Sequence, residues 1–189
     1  MKSSYKLEDL LPLSIFQDSS ISISEKSIIN EVKSVSKLVP LEIELMNTVI
    51  IDKSILDFDA LKKSKSITFF ALCSYSVDLS SLTTEDIFLD SENKIINLYI
   101  PSPKVYSIEI LDDKTIYEDS QLGFLRFGDI LLSSEEYGII LDLVTTEFEN
   151  NMKSSDLINQ AVNNTSIILE DLLKKLTYTE YSIHIKLKN

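Results

Sequence analysis

The sequence predicts an α+β fold, in which two long C-terminal helices pack on one face of a mostly antiparallel sheet and a strand closes the chain. Segments with strand-like alternation come first, two amphipathic helical patterns follow, and the chain ends on another alternating segment. Strands grouped before helices are typical of this class. No fixed repeat and no Gly/Ser-rich or Pro-rich linker divides the 189 residues. We therefore expect a single domain over residues 24–189, preceded by an N-terminal arm over residues 1–23.

The first predicted helix begins after Ser24, whose side chain is a suitable N-cap. We expect it to end at Pro40, because proline cannot continue a helix interior. The apolar positions of this segment repeat on one face: Ile28, Val32, Val35 and Val39.

Two long segments show the period of a half-buried strand. Apolar residues alternate with glutamates from Leu41 to Leu45, and an apolar run continues to Ile51, which predicts a strand or a bulged hairpin. The longer alternation runs from Ile67 to Leu79 and places every second residue on one apolar face. A central strand of the sheet is predicted there.

Two shorter strands are predicted over residues 95–100 and 105–111, separated by Pro101-Ser-Pro103. Each proline fixes its own backbone angle and lacks the N–H that a strand ladder needs, so the pair separates the strands or forces an edge. Because the connection is short, we expect the two strands to pair antiparallel.

The C-terminal region predicts two helices and a last strand. Ser133 and Glu136 fit a capping box at the start of the first helix, and the second begins near Ser154 or Ser155. Alternation from Tyr181 to Leu187 predicts the closing strand. The apolar stripes of the helices are Tyr137, Ile140, Leu141, Val144 and Phe148, then Ile158, Ala161, Thr165, Ile168, Leu169, Leu172 and Leu176.

Charge and composition exclude several classes of function. Asp and Glu number 30 against 18 basic residues, a formal charge of −12 that opposes binding to nucleic acid or to anionic lipid headgroups. The sequence contains no uncharged apolar stretch long enough to span a membrane and no secretion leader, so we expect a soluble polypeptide. The single Cys73 cannot pair within the chain.

The segment from Gly123 to Gly138 holds all three glycines and the only arginine of the chain. Arg126 carries a planar five-donor fork that could bind a carboxylate or phosphate, and we predict Arg126 and Asp129 as candidate ligand-binding residues. The alternative is structural: Arg126 forms an internal ion pair with an acid of its own crossover, Asp129, Glu135 or Glu136, and Gly123 and Gly128 occupy turn or bulge positions. The glycine spacing lacks the Lys-Ser/Thr of a nucleotide-binding loop.

Other chemistry-bearing residues lack partners in the sequence. His184 is the only histidine and falls on the polar face of the last strand, and Cys73 falls on an apolar face, where a thiol behaves as a small hydrophobe. The acidic clusters do not fit the twelve-residue calcium loop. We predict no catalytic residue, no metal site and no cofactor. The acidic clusters are Asp57-Phe-Asp59, Asp90-Ser-Glu92, Asp112-Asp113 and Glu118-Asp119.

Four short signatures in order resemble the bacterial domain of unknown function 4230 family. They are Lys37-Leu-Val-Pro-Leu41, Tyr75-Ser-Val-Asp-Leu-Ser-Ser-Leu82, Ile100-Pro-Ser-Pro-Lys-Val105 and Leu122-Gly-Phe-Leu-Arg-Phe-Gly-Asp129, the last leading into Glu135-Glu136. The resemblance implies no known reaction. It implies a bacterial envelope protein whose domain often follows a membrane anchor. Ser76 departs from the pattern, since members often have glycine there.

The resemblance and the isolated candidate residues together favour a non-enzymatic binding or interaction module of the cell envelope. The partner is expected to be an unknown protein or small ligand. The alternative is a small-ligand-binding protein or hydrolase that uses Arg126 as an anion clamp with carboxylates of the 112–136 region and His184. The sequence has no anchor of the family kind, which leaves a soluble member or the extracytoplasmic part of an anchored protein.

Overall fold

The computed structural model describes residues 23–54, 59–178 and 181–188, so the predicted arm lies almost wholly outside the described residues. The described ranges contain three α-helices and eight strands. The helices are α1 (Glu25–Ser34), α2 (Ser134–Met152) and α3 (Ser155–Leu176). The strands are β1 (Lys37–Asp52), β2 (Lys63–Asp78), β3 (Ile87–Asp90), β4 (Ile95–Ile100), β5 (Lys104–Ile110), β6 (Ile116–Tyr117), β7 (Gln121–Leu122) and β8 (Ser182–Leu187).

The predicted α+β class is confirmed, but the strands form two sheets where one was expected. The first sheet is antiparallel and has the order β1-β2-β5, with β6 and β7 pairing to the earlier part of β2. The second has the order β3-β4-β8 and is mixed, because β3 pairs antiparallel with β4 whereas β8 runs parallel to it. Both C-terminal helices lie between β4 and β8 in the chain, a connection long enough for a parallel crossover.

The predicted antiparallel pairing across Pro101-Ser-Pro103 is wrong. β4 belongs to the second sheet, and β5 pairs with β2 in the first sheet, where Cys73 lies opposite Ile108. Neither proline can donate to a ladder, so the pair interrupts strand pairing at this point. The chain instead passes from one sheet to the other at this point.

The first helix ends earlier than predicted, at Ser34 rather than at Pro40. Ser36 has a positive φ of 57°, which breaks the helix, and its carbonyl accepts hydrogen bonds from the backbone N–H groups of Leu79 and Ser80. Pro40 lies inside β1, where the register with β2 shifts between Leu38 and Leu41. A proline is tolerated there because the bulge and the edge position require no ladder bond from it.

Two hydrophobic cores hold the described chain together. The alternation of β2 is confirmed: every second residue from Ile67 to Tyr75 is buried and faces α2 and the first half of α3, and Val77 is buried in the second core. The second sheet packs on α1 and the second half of α3. Helix α3 therefore joins both cores, with Ala161 in the first and Leu169 and Leu173 in the second.

The buried stripe of α3 differs from the predicted one at two positions. Leu173 is fully buried, whereas Ile168, which was predicted on the apolar stripe, is 41% exposed. The reason is that the buried stripe continues from Leu169 to the residue four positions later.

Candidate functional site

The loop that joins β7 to α2 has a backbone anchored to the chain that precedes β2. The N–H of Gly123 donates to the carbonyl of Lys62 at 2.8 Å, and the N–H of Leu125 donates to that of Ala60 at 3.0 Å. The N–H of Arg126 donates to the carbonyl of Gly123 at 2.9 Å and closes a β-turn. The loop is therefore held at several backbone positions.

Gly128 adopts a left-handed conformation with φ of +76°. A Cβ built at this position meets no atom within 4 Å, so the backbone angle and not the available space favours glycine. Gly128 lies at a bend of the loop, after the β-turn that begins at Gly123.

Arg126 is half-buried and binds a backbone carbonyl. Its Nη2 donates to the carbonyl oxygen of Lys53, at the end of β1, across 3.2 Å. In the described residues no ion pair joins Arg126 to Asp129 or Glu136, and each of these acids is instead paired with a lysine. The predicted internal ion pair of Arg126 with Asp129, Glu135 or Glu136 is wrong, since the guanidinium binds a backbone carbonyl and lysines occupy the carboxylates of Asp129 and Glu136.

Asp129 lies at the centre of a small polar network. Lys65 Nζ is 2.6 Å from Oδ2, Ser120 Oγ donates to Oδ1, and the Ile130 N–H donates to Oδ1 at 2.8 Å. These donors favour the ionised form, and the hydrogen bond from Lys65, followed by that from Ser120, lowers the pKa of Asp129 to about 2. Lys65 is only 13% exposed, so the pair ties the loop to β2.

Glu136 makes the equivalent connection at the start of α2. Its Oε1 accepts from Lys53 Nζ at 2.7 Å, and its Oε2 accepts from the Ser133 N–H at 2.9 Å. The Glu136 N–H donates to Ser133 Oγ, which confirms the predicted capping box. The hydrogen bond from Lys53 is the largest cause that lowers the pKa of Glu136 to about 2.

The anchored loop carries large apolar side chains that face solvent. Phe124 is 78% exposed, Phe127 85% and Leu131 82%, and Leu125 is also exposed. We call these four residues the apolar loop surface. Exposed apolar residues scattered singly are ordinary, but four within one short segment are typical of a contact surface. Their exposure was not predicted from the sequence; the available signal was a cluster of apolar residues without helical or strand period just before a capping box.

A cleft of about 480 Å³ lies beside the loop, between β2 and the start of α2. Asp129 and Lys65 line it together with Tyr117 and Tyr137, whose hydroxyl oxygens are 3.1 Å apart. The hydrogen bond with Tyr117 is the largest cause that raises the pKa of Tyr137 to about 12. Neither Arg126 nor His184 lines the described part of this cleft.

The remaining candidate residues lie elsewhere. His184 is on β8 in the second sheet, opposite Asn97 of β4. Cys73 is buried on β2, as predicted, and burial raises the pKa of its thiol. Across the described ranges, no group of three or more His, Cys, Asp or Glu side chains is placed to hold a metal ion.

These features define a class of protein: an α+β domain with two sheets, in which a loop held by ion pairs and backbone hydrogen bonds exposes apolar side chains. The chain belongs to the family described as Protein of unknown function (DUF4230), whose sequence model matches residues 30–183. Neither the comparison with curated proteins nor the comparison with solved structures found a match. Among the described residues, no helix is both long and apolar enough to cross a membrane.

Proposed function

We propose that this protein is a non-enzymatic interaction module that binds a partner protein through the apolar loop surface. The observation that carries the proposal is the exposure of Phe124, Phe127 and Leu131 on a loop whose backbone is fixed. A fixed loop loses little conformational entropy on binding, so its apolar area contributes more fully to affinity.

The charged groups around the loop support binding over catalysis. Asp129 and Glu136 are each held by a lysine, and the pKa of each is lowered to about 2. A general acid or base works best when its pKa lies near the working pH. These carboxylates are therefore suited to holding the loop and poorly suited to proton transfer at neutral pH.

The overall charge favours a protein as the partner. A formal charge of −12 opposes nucleic acid and anionic lipid surfaces, which would otherwise be alternative partners for exposed aromatic side chains. An apolar groove on a protein fits the four side chains, since aromatic anchors dominate many protein interfaces.

We further propose that the module works at the bacterial cell envelope, as the family resemblance implies. Fractionation of cells that naturally produce the protein tests this part separately. Recovery with the envelope is expected, and recovery wholly in the cytosolic fraction would contradict it.

Site-specific photo-cross-linking in those cells tests the binding surface. Benzoylphenylalanine in place of Phe127 is expected to give one discrete protein adduct. The matched control is the same replacement at Phe88, which is 58% exposed on β3 of the other sheet. Because burying a phenylalanine is worth roughly 1.5–3 kcal/mol, Phe124→Ser should weaken the adduct at 127 by about tenfold or more. Equal adducts at 127 and 88 would overturn the proposal.

A further inference from the structure

Strand β1 forms an open edge of the first sheet. In the part of the chain that the structure describes, β1 pairs with β2 along most of its length and with no other strand. Its other edge presents backbone N–H and C=O groups that another strand can pair with. This edge lies on the opposite side of the sheet from β5, β6 and β7.

Both ends of this edge are already occupied. At one end Pro40 has no N–H, and its carbonyl accepts from Asn164 Nδ2 of α3 at 3.0 Å. At the other end β1 stops at Asp52, whose side chain accepts from the Ser54 N–H at 2.7 Å, and the carbonyl of Lys53 accepts from Arg126 Nη2. The segment between these ends runs from Leu41 to Ile51, and its middle residue is Met46.

The outward face of the same segment combines acidic and apolar side chains. Met46 and Ile50 are each 68% exposed, and they share this face with Glu42, Glu44 and Thr48. Directly opposed residues of an antiparallel pair point to the same face and interact, and like charges placed opposite each other are destabilising. The position of the two glutamates therefore restricts which registers the edge can adopt with a copy of itself.

We propose that β1 pairs antiparallel with β1 of a second copy of this chain, across a two-fold axis at Met46. In this register Met46 packs against Met46, while Glu44 lies opposite Thr48 and Glu42 opposite Ile50. On the inward face Leu41 lies opposite Ile51 and Ile43 opposite Val49, while Leu45 lies opposite Asn47, and all of these residues lie within β1. The two sheets become one continuous sheet, and the whole free segment is paired.

Neighbouring registers fit less well. An axis at Glu44 puts this carboxylate against its own copy, and an axis at Asn47 puts Glu42 opposite Asp52. An axis at Leu45 keeps the acids apart but leaves Met46 opposite Glu44 and pairs only part of the free segment. The charge pattern of the outward face and the ends of the free segment therefore both favour an axis at Met46. This surface is separate from the apolar loop surface, so the inference does not depend on the proposed function.

Single-cysteine cross-linking of the full chain tests both the pairing and its register. Met46→Cys places two thiols directly across the axis, within reach of a disulfide. In Thr48→Cys the two thiols are displaced by four residues, which is roughly 13 Å along the strand at 3.3 Å per residue. Cys73 is buried and present in both variants, so it contributes the same background of cross-linking to each. Under mild oxidation Met46→Cys is expected to form covalent dimer at least about tenfold faster than Thr48→Cys, because disulfide geometry tolerates little displacement.

Leu45→Cys and sedimentation complete the test. Faster cross-linking of Leu45→Cys than of Met46→Cys would overturn the register, and equal rates for Met46→Cys and Thr48→Cys would overturn the pairing. Sedimentation equilibrium of the wild-type protein is expected to detect reversible dimers that Met46→Lys weakens by about tenfold or more, since it places like charges on the axis. A wild-type protein that stays monomeric at the highest concentration tested would also overturn the proposal. Circular dichroism of Met46→Lys verifies folding.

Discussion

The guanidinium Nη2 of Arg126 lies 3.2 Å from the backbone carbonyl oxygen of Lys53. The side chain of the same lysine lies 2.7 Å from Glu136 Oε1, so Lys53 joins the loop to the first turn of α2. Arg126 thus holds the loop through a neutral acceptor, and the crossover acids Asp129 and Glu136 are held by lysines.

Replacing Arg126 with alanine is expected to lower the free energy of unfolding by about 1 kcal/mol, the usual net worth of one protein hydrogen bond. The fold should persist, because only one bond of the anchored loop is lost. Urea unfolding monitored by circular dichroism measures the change. Lys174→Ala is the matched control, since its 3.6 Å pair with Glu170 on the surface of α3 should contribute less than about 0.5 kcal/mol. Unchanged stability of Arg126→Ala would show that the bond to Lys53 does not hold the loop.

Stability is expected to fall when the pH is lowered from about 4.5 towards 2. The pKa values of Asp129 and Glu136 are lowered from 3.8 and 4.5 to about 2 in the folded protein. A lowered folded-state pKa means that the unfolded chain binds protons first, so this stabilisation is complete above the unfolded pKa and is lost as pH falls through the folded value. Chemical denaturation at a series of pH values measures the slope.

The double variant Asp129→Asn/Glu136→Gln should flatten that slope. Glu147→Gln, at an exposed position of α2, is the control and should leave the slope close to that of the wild type. A double variant with the full acid sensitivity of the wild type would contradict the assignment of the effect to these two carboxylates.

The two glycines that flank the start of α2 should respond to alanine in opposite directions. Gly128→Ala is expected to destabilise the protein by about 1–2 kcal/mol, because a left-handed backbone is unfavourable for a residue with a Cβ. Gly138→Ala should stabilise it by about 0.5–1 kcal/mol, since Gly138 is inside α2 and a Cβ there meets nothing within 4 Å. Thermal and urea unfolding compare the two, and a stabilising effect at Gly128 would refute the requirement for its backbone angle.

The apolar loop surface should be dispensable for folding. Phe127→Ser is expected to change the free energy of unfolding by no more than about 0.5 kcal/mol, because the side chain is 85% exposed. Phe148→Ala, at a fully buried position of α2, should cost about 3–5 kcal/mol. Urea denaturation of both variants measures the contrast. A large loss in Phe127→Ser would mean that this side chain serves folding, and the proposed binding role would lose its main support.

Sequence periodicity determined the longer elements of this protein, because it depends on local geometry alone, whereas the short strands β3, β6 and β7 were not predicted. The alternation of β2, the capping box at Ser133 and Glu136 and the apolar stripe of α2 were all predictable from residues close together in the chain. The same holds for the closing strand and for the α+β class that these elements imply. The end of α1 was not predictable in this way. Ser36 breaks the helix with a left-handed backbone, and its carbonyl accepts hydrogen bonds from Leu79 and Ser80, which are distant in the chain.

The tertiary structure decided which elements and which charges meet. Local patterns cannot show that β4 pairs with β8 and that β5 pairs with β2, because these choices depend on packing against helices far away in the chain. Nor can they show that Lys53 and Lys65 pair with Glu136 and Asp129, or that Arg126 binds a backbone carbonyl instead of an acid. Exposure of the apolar loop surface follows from the same long-range contacts, which place the loop backbone against the chain before β2 and leave its side chains uncovered.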